Sequence, residues 1–72
     1  MNDKNGFMLS NRDRVLRGWQ ASTQLVREYQ DYAHEMEEDE KLSKLFAHMA
    51  EDEAEHAAKL LVLLQGYDKQ RV

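Results

Sequence analysis

Two long stretches of this chain repeat apolar residues at the spacing of an α-helix, and no stretch alternates with the period of two that a strand needs. In the first, Val15, Trp19, Val26, Tyr29, Ala33 and Met36 recur, with Ser22 filling the remaining slot. The steps of four and three residues form an unbroken heptad seam, widened by Leu16, Leu25 and Tyr32. The second stretch runs Leu42, Phe46, Met49, Glu53, His56, Leu60, Leu63, Tyr67, flanked by Ala50, Ala57, Leu61 and Leu64.

Local signals bound these stretches. Ser10 followed by Asp13 reads as a capping box, so the first helix is expected from about residue 11 to 37. Glu37, Glu38, Asp39 and Glu40 separate the two patterns. Asp39 can cap a second helix, and acids favour its N-terminal dipole. The like charges there also disfavour one uninterrupted helix, the competing arrangement, by tenths of a kcal/mol per pair. Gly66 suits a position just past a helix end, so the second helix is expected over about 40–65. Each helix would be roughly 40 Å long at 1.5 Å per residue. The fold class is therefore all-α: a two-helix antiparallel hairpin over 10–67, with tails at 1–9 and 68–72.

Size decides what such a hairpin needs. At 72 residues with no cysteine, the chain holds one small domain without disulfides or thiolate metal sites. Small scaffolds of this kind rely on a metal or a partner subunit. A hairpin has apolar flanks and no third layer, and two hairpins together close a four-helix bundle. A homo-oligomer, most simply a dimer, is expected.

Charge narrows the choice of ligand. The net charge is −4, and eleven of the fourteen acids fall between Glu28 and Glu55, where Lys41 and Lys44 are the only Lys or Arg residues. Before residue 28 lie Arg12, Arg14, Arg17 and Arg27. An acidic middle argues against nucleic acid, which wants a basic face, and suits cations. The longest apolar run, Leu60 to Leu64, is far too short for a membrane span. No secretory h-region is visible, so a cytoplasmic protein without membrane contact is expected.

One feature breaks the apolar rhythm. Glu53 and His56 take consecutive slots in a seam otherwise built of Leu, Phe, Met and Tyr. Burying a carboxylate and an imidazole costs several kcal/mol unless they are paired or bound. Spaced three residues apart, they share one helix face, as metal ligands in carboxylate-bridged bundles do. The imidazole suits iron, zinc or manganese. The other reading is a buried pair that sets packing register. His34 and His48 fall off the seams and are expected at the surface, as are Glu51, Asp52 and Glu55; Trp19, Met36, Phe46 and Met49 are expected in the core.

The stretch from Glu28 to Leu61, and within it YQDYA, LSKLF and above all AEDEAEHA, resembles the first helical hairpin of rubrerythrin-type members of the ferritin-like superfamily. Residues 1–17 carry none of this likeness. The resemblance implies a four-helix bundle with a carboxylate-bridged di-iron site used for ferrous-iron oxidation or peroxide reduction. It implies Glu53 and His56 as metal ligands. Full-length members carry two hairpins, so this chain resembles a half-unit, similar to small encapsulated ferritins that build their site from paired hairpins. The family also supplies a Glu from the first helix. The slot facing Glu53 and His56 should lie near residues 21–24, where the seam holds Ser22, while a gap-free alignment offers Gln20. The nearest acid on that helix is Glu28. Two chains would then contribute two Glu and two His, a set that can hold one iron or zinc ion.

Two functions follow. One is a ferritin-like metal-binding protein with iron (di-iron or mononuclear) or zinc at a site shared between subunits. The other is a non-catalytic hairpin that assembles or docks with a partner around a degenerate metal site. A DNA-binding regulator lacks a basic reading element.

Overall fold

The computed structural model describes residues 9–69. Two helices, α1 (Asn11–Glu35) and α2 (Glu40–Lys69), pack against each other as an antiparallel hairpin. The described residues contain no strand. The tails expected at 1–9 and 68–72 lie mostly outside the described residues.

The helix starts obey the local signals. Ser10 Oγ accepts a hydrogen bond from the Asp13 backbone N–H at 3.1 Å, and Asp13 Oδ2 accepts from the Ser10 N–H at 3.2 Å. This reciprocal pair satisfies donors that the first helical turn leaves without partners. At the turn, Met36 N–H donates to the Tyr32 carbonyl and Asp39 N–H to that of Met36. Asp39 Oδ1 then accepts from Leu42 N–H at 3.1 Å, capping α2. The chain thus leaves α1 two residues earlier than the periodicity suggests. Ser43 Oγ, donating to the Ala33 carbonyl at 2.6 Å, ties the two helices together just below the turn.

The far end of α2 departs from expectation. Gly66 does not terminate the helix, which continues to Lys69. Tyr67 is half-buried and carries the seam onward, and Asp68 Oδ1 accepts from Arg12 Nε at 2.8 Å. These contacts hold the last turn helical against a glycine penalty of only about 1 kcal/mol.

The α1 seam is as its spacing predicts, with every member from Val15 to Met36 partly or fully buried. The α2 seam is not. Past Glu53 it passes through Ala57, Leu60, Leu64 and Tyr67, so His56 and Leu63 turn outward. An α-helix drifts about 20° per heptad from a strict 3.5-residue repeat. At about 100° per residue, Ala57 and Leu64 fall within about 40° of the direction of Glu53, whereas His56 and Leu63 fall about 60–80° to its other side. Leu64 is accordingly 8% exposed and Leu63 54%.

At the turn end, Tyr29, Tyr32 and Phe46 form a three-ring cluster with centroids 5.3–6.4 Å apart. Toward the open end the helices come close at Gly18, where an added Cβ would lie 3.3 Å from Leu60 Cδ1. Trp19, Met36, Phe46 and Met49 sit at the interface as expected, but half-buried. Only Ser22, Ala50 and Leu64 are buried among the described residues, and no side chain is fully enclosed.

The shape explains why. The hairpin measures 49 × 29 × 12 Å, one helix diameter thick. Its radius of gyration, 16.5 Å, exceeds the roughly 11 Å of a compact domain of this length. Both flanks of the helix pair stay open. One is an alanine-rich groove of about 330 Å³ beside Val26, Gln30, Ala33, Ala47, Ala50 and Ala54. The other carries Leu45, His56 and Leu63 in a stripe along α2.

Candidate metal centre

Glu53 and His56 stand on successive turns of α2, close to its midpoint. The Glu53 carboxylate points into the helix interface, with its side chain 21% exposed. His56 is offset to the open flank and 57% exposed. The drift of the seam separates the two: one sits under α1, the other beside it. Their tips still meet, His56 Nδ1 lying 3.3 Å from Glu53 Oε1. The contact is a hydrogen bond between the two side chains, of about the length that separates two ligands about 2.1 Å from a tetrahedral ion. The single-chain donor set stops there. Among the described residues, no three His, Cys, Asp or Glu side chains converge.

The opposite face of α1 accounts for that shortfall. The contacts of Ala33 with Ser43 and of Gly18 with Leu60 place residues 24–25 level with Glu53. Ser22 is buried. Thr23 Oγ1 donates to its own helix at the Trp19 carbonyl, 2.7 Å away. Gln24 Nε2 donates to Glu28 Oε2 at 2.8 Å. Gln20 is exposed. A hydroxyl and an amide therefore occupy the level where a carboxylate would face Glu53. Glu28 is half-buried one turn further toward the hairpin's tip.

The remaining histidines are at the surface, as expected. His34 is exposed, and His48 lies 3.6 Å from Glu51 with both side chains about three-quarters exposed. Glu51, Asp52 and Glu55 are exposed too.

A family model described as Rubrerythrin matches residues 23–72, more than two-thirds of the chain and all of the Glu-x-x-His segment. The chain belongs to the rubrerythrin family. Its fold is thus ferritin-like and of a metal-binding type, and the match begins after the Arg-rich start that showed no resemblance. No curated protein and no solved structure matches the chain significantly. Among the described residues no helix is long and apolar enough to cross a membrane.

One copy of the chain brings together two side chains of ligating type, Glu53 and His56, and among the described residues no third joins them. The register that turned His56 outward was not legible from the heptad pattern, which placed both residues inside. An eleven-residue spacing, Phe46 to Ala57 and Glu53 to Leu64, is the signal that could have found it.

Proposed function

We propose that this chain is one half of a ferritin-like metal protein. Two hairpins pair, and Glu53 and His56 of both hold iron between them for ferrous-iron oxidation or peroxide-related redox chemistry. The observation that carries the reading is the Glu53–His56 pair itself. A carboxylate is kept largely inside the helix interface, with an imidazole nitrogen 3.3 Å away, in the segment that matches the family.

The chemistry of the residues fits that role. Two copies bring two carboxylates and two imidazoles, enough donors for a four-coordinate ion. Bound iron would supply one-electron redox chemistry. The protein's own part is simpler. Glu53 offsets cation charge at the edge of the helix interface, and His56 adds a borderline ligand that favours transition metals over magnesium or calcium. Zinc would satisfy the same donors without redox turnover.

A second reading is favoured by the α1 face. Ser22, Thr23 and Gln24 supply no carboxylate opposite Glu53, which suits a non-catalytic assembly module with a reduced metal site. Elemental analysis of gently purified, tag-free protein, with its mass in solution, separates the two. About one metal per two chains, lost in Glu53→Ala and able to turn over ferrous iron, supports the redox reading. Bound metal without turnover supports the module. No metal above background after anaerobic ferrous loading overturns the metal site in either form.

A further inference from the structure

α2 carries a second heptad pattern, separate from the one that holds Glu53. Ala47, Ala50, Ala54, Ala57, Leu61 and Leu64 follow one another in steps of three and four residues, the spacing at which one helix seats against another. Alternate members already have a partner: Ala50, Ala57 and Leu64 turn toward α1 and are buried or half-buried. Ala47, Ala54 and Leu61 are exposed. At about 100° per residue these three point within about 40° of one another, on the side of α2 away from His56. Ala47 and Ala54 line the alanine-rich groove, whose α1 wall includes Val26 and Ala33 and whose one charged lining residue among those described is Glu51. Leu61 continues the same face toward the open end. A continuous apolar strip at helical spacing is the kind of surface against which a further helix packs.

We propose that a second copy of this chain docks its own α2 on this flank, antiparallel, with Ala54 of each copy crossing at a two-fold axis. The proposal goes beyond the metal reading, because it concerns the flank away from His56 and needs no ligand there. Side-chain size selects both the occupant and the direction. Ala47 and Leu61 each lie seven residues from Ala54, so the antiparallel pair seats each Leu61 against the partner's Ala47. The groove beside Ala47 and Ala50 then receives a leucine, and the two small Ala54 side chains let the helices approach at the axis. A parallel pair would set Leu61 on Leu61 and Ala47 on Ala47, crowding one end and emptying the other.

Charge agrees with size. Glu40, fourteen residues before Ala54, and Lys69, fifteen after it, are both exposed and share the outer edge of this flank. The antiparallel pair brings each Lys69 within one residue of the level of the partner's Glu40, whereas a parallel pair would oppose like charges at both positions. Asp68 does not cancel this contact, since its carboxylate is turned to Arg12 of its own chain. A hairpin that pairs on both flanks has two different two-fold contacts, so its assembly continues past a dimer. If this flank alone pairs, the assembly is a dimer.

Disulfide trapping tests the register, because the chain contains no cysteine. Ala54→Cys protein alone, oxidised with chelator present, should form a 54–54 disulfide. Ala47→Cys and Leu61→Cys proteins should cross-link when mixed and give little product separately. Two copies of position 47 lie about 21 Å apart along the axis of the antiparallel pair, and the limit on Cα separation in a disulfide is roughly 7 Å. Absence of the 54–54 product, same-position products at 47 and 61, or a monomer in solution each overturn the proposal. An exchange of sizes gives a second test without cysteine. Ala47→Leu crowds the place of the partner's Leu61, and Leu61→Ala empties it. Each should weaken association several-fold in sedimentation velocity while the hairpin stays helical, because both positions are exposed. The double variant again sets one leucine against one alanine at each contact and should recover association. A double variant no better than the singles, or singles that associate like the parent, overturns the proposal. The metal reading fails separately. A 54–54 disulfide in a protein that binds no metal retains this interface, and a metal-loaded dimer without that disulfide does the reverse.

Discussion

Ser22 is the one buried polar residue of the described hairpin, 8% exposed in the middle of the α1 seam. Its hydroxyl makes no hydrogen bond to the described residues. The neighbouring Thr23 shows the contrast, returning its hydroxyl to the Trp19 carbonyl at 2.7 Å. A buried donor without a partner costs about 1–3 kcal/mol, and serine is about 0.5 kcal/mol poorer than alanine within a helix. The Ser22→Ala variant removes both penalties and leaves only a small change in volume. It should stabilise the protein by about 1–2 kcal/mol. For a domain this size that is a rise of roughly 5–15 °C in melting temperature. Thermal and urea unfolding, followed by far-UV circular dichroism at matched protein concentration, gives the number. Metal content should be unchanged, because Ser22 supplies no metal donor in this reading. A loss of stability beyond about 0.5 kcal/mol would refute the reasoning, since it would mean that the hydroxyl satisfies a partner worth more than its burial costs.

The N-terminal cap gives a pH signature. Its hydrogen bonds with Ser10 hold the Asp13 carboxyl below its ordinary value of 3.8. The cap therefore adds stability that is complete above that value and is lost as pH falls through the lower folded value. Asp13→Ala, which removes the carboxylate that accepts from the Ser10 N–H, should destabilise the protein at neutral pH, with the gap to the parent protein narrowing in acid; a gap constant down to strongly acidic pH contradicts this. Gly66 lies inside α2, and an added Cβ meets nothing within 4 Å. Gly66→Ala should raise stability by about 0.5–1 kcal/mol in urea titrations, and a decrease would show that α2 ends before Gly66.

Much of the hairpin is legible in the sequence. Ser10 with Asp13, and Asp39 before Leu42, announce helix starts because capping is a contact within a few residues. The α1 seam was readable for a related reason. Apolar side chains at helical spacing fall on one face whatever the helix packs against. Gly66 misled because glycine is only a weak stop, and the contacts of Tyr67 and of Asp68 with Arg12, distant in sequence, outweighed it.

The sequence by itself determined the helices, the turn and the presence of a polar pair at Glu53 and His56. It could not separate the two jobs that α2 performs. One face of α2 meets α1, and the flank beside it is left open. Because those faces are adjacent, a heptad drawn through Glu53, His56, Leu60 and Leu63 samples both at once. Only the packed pair of helices, with its own twist and its close approach at Gly18, decided that Ala57 and Leu64 turn inward. The same packing left His56 and Leu63 outside. A helix repeats every 3.6 residues, and where its seam lies after several turns depends on the helix packed against it.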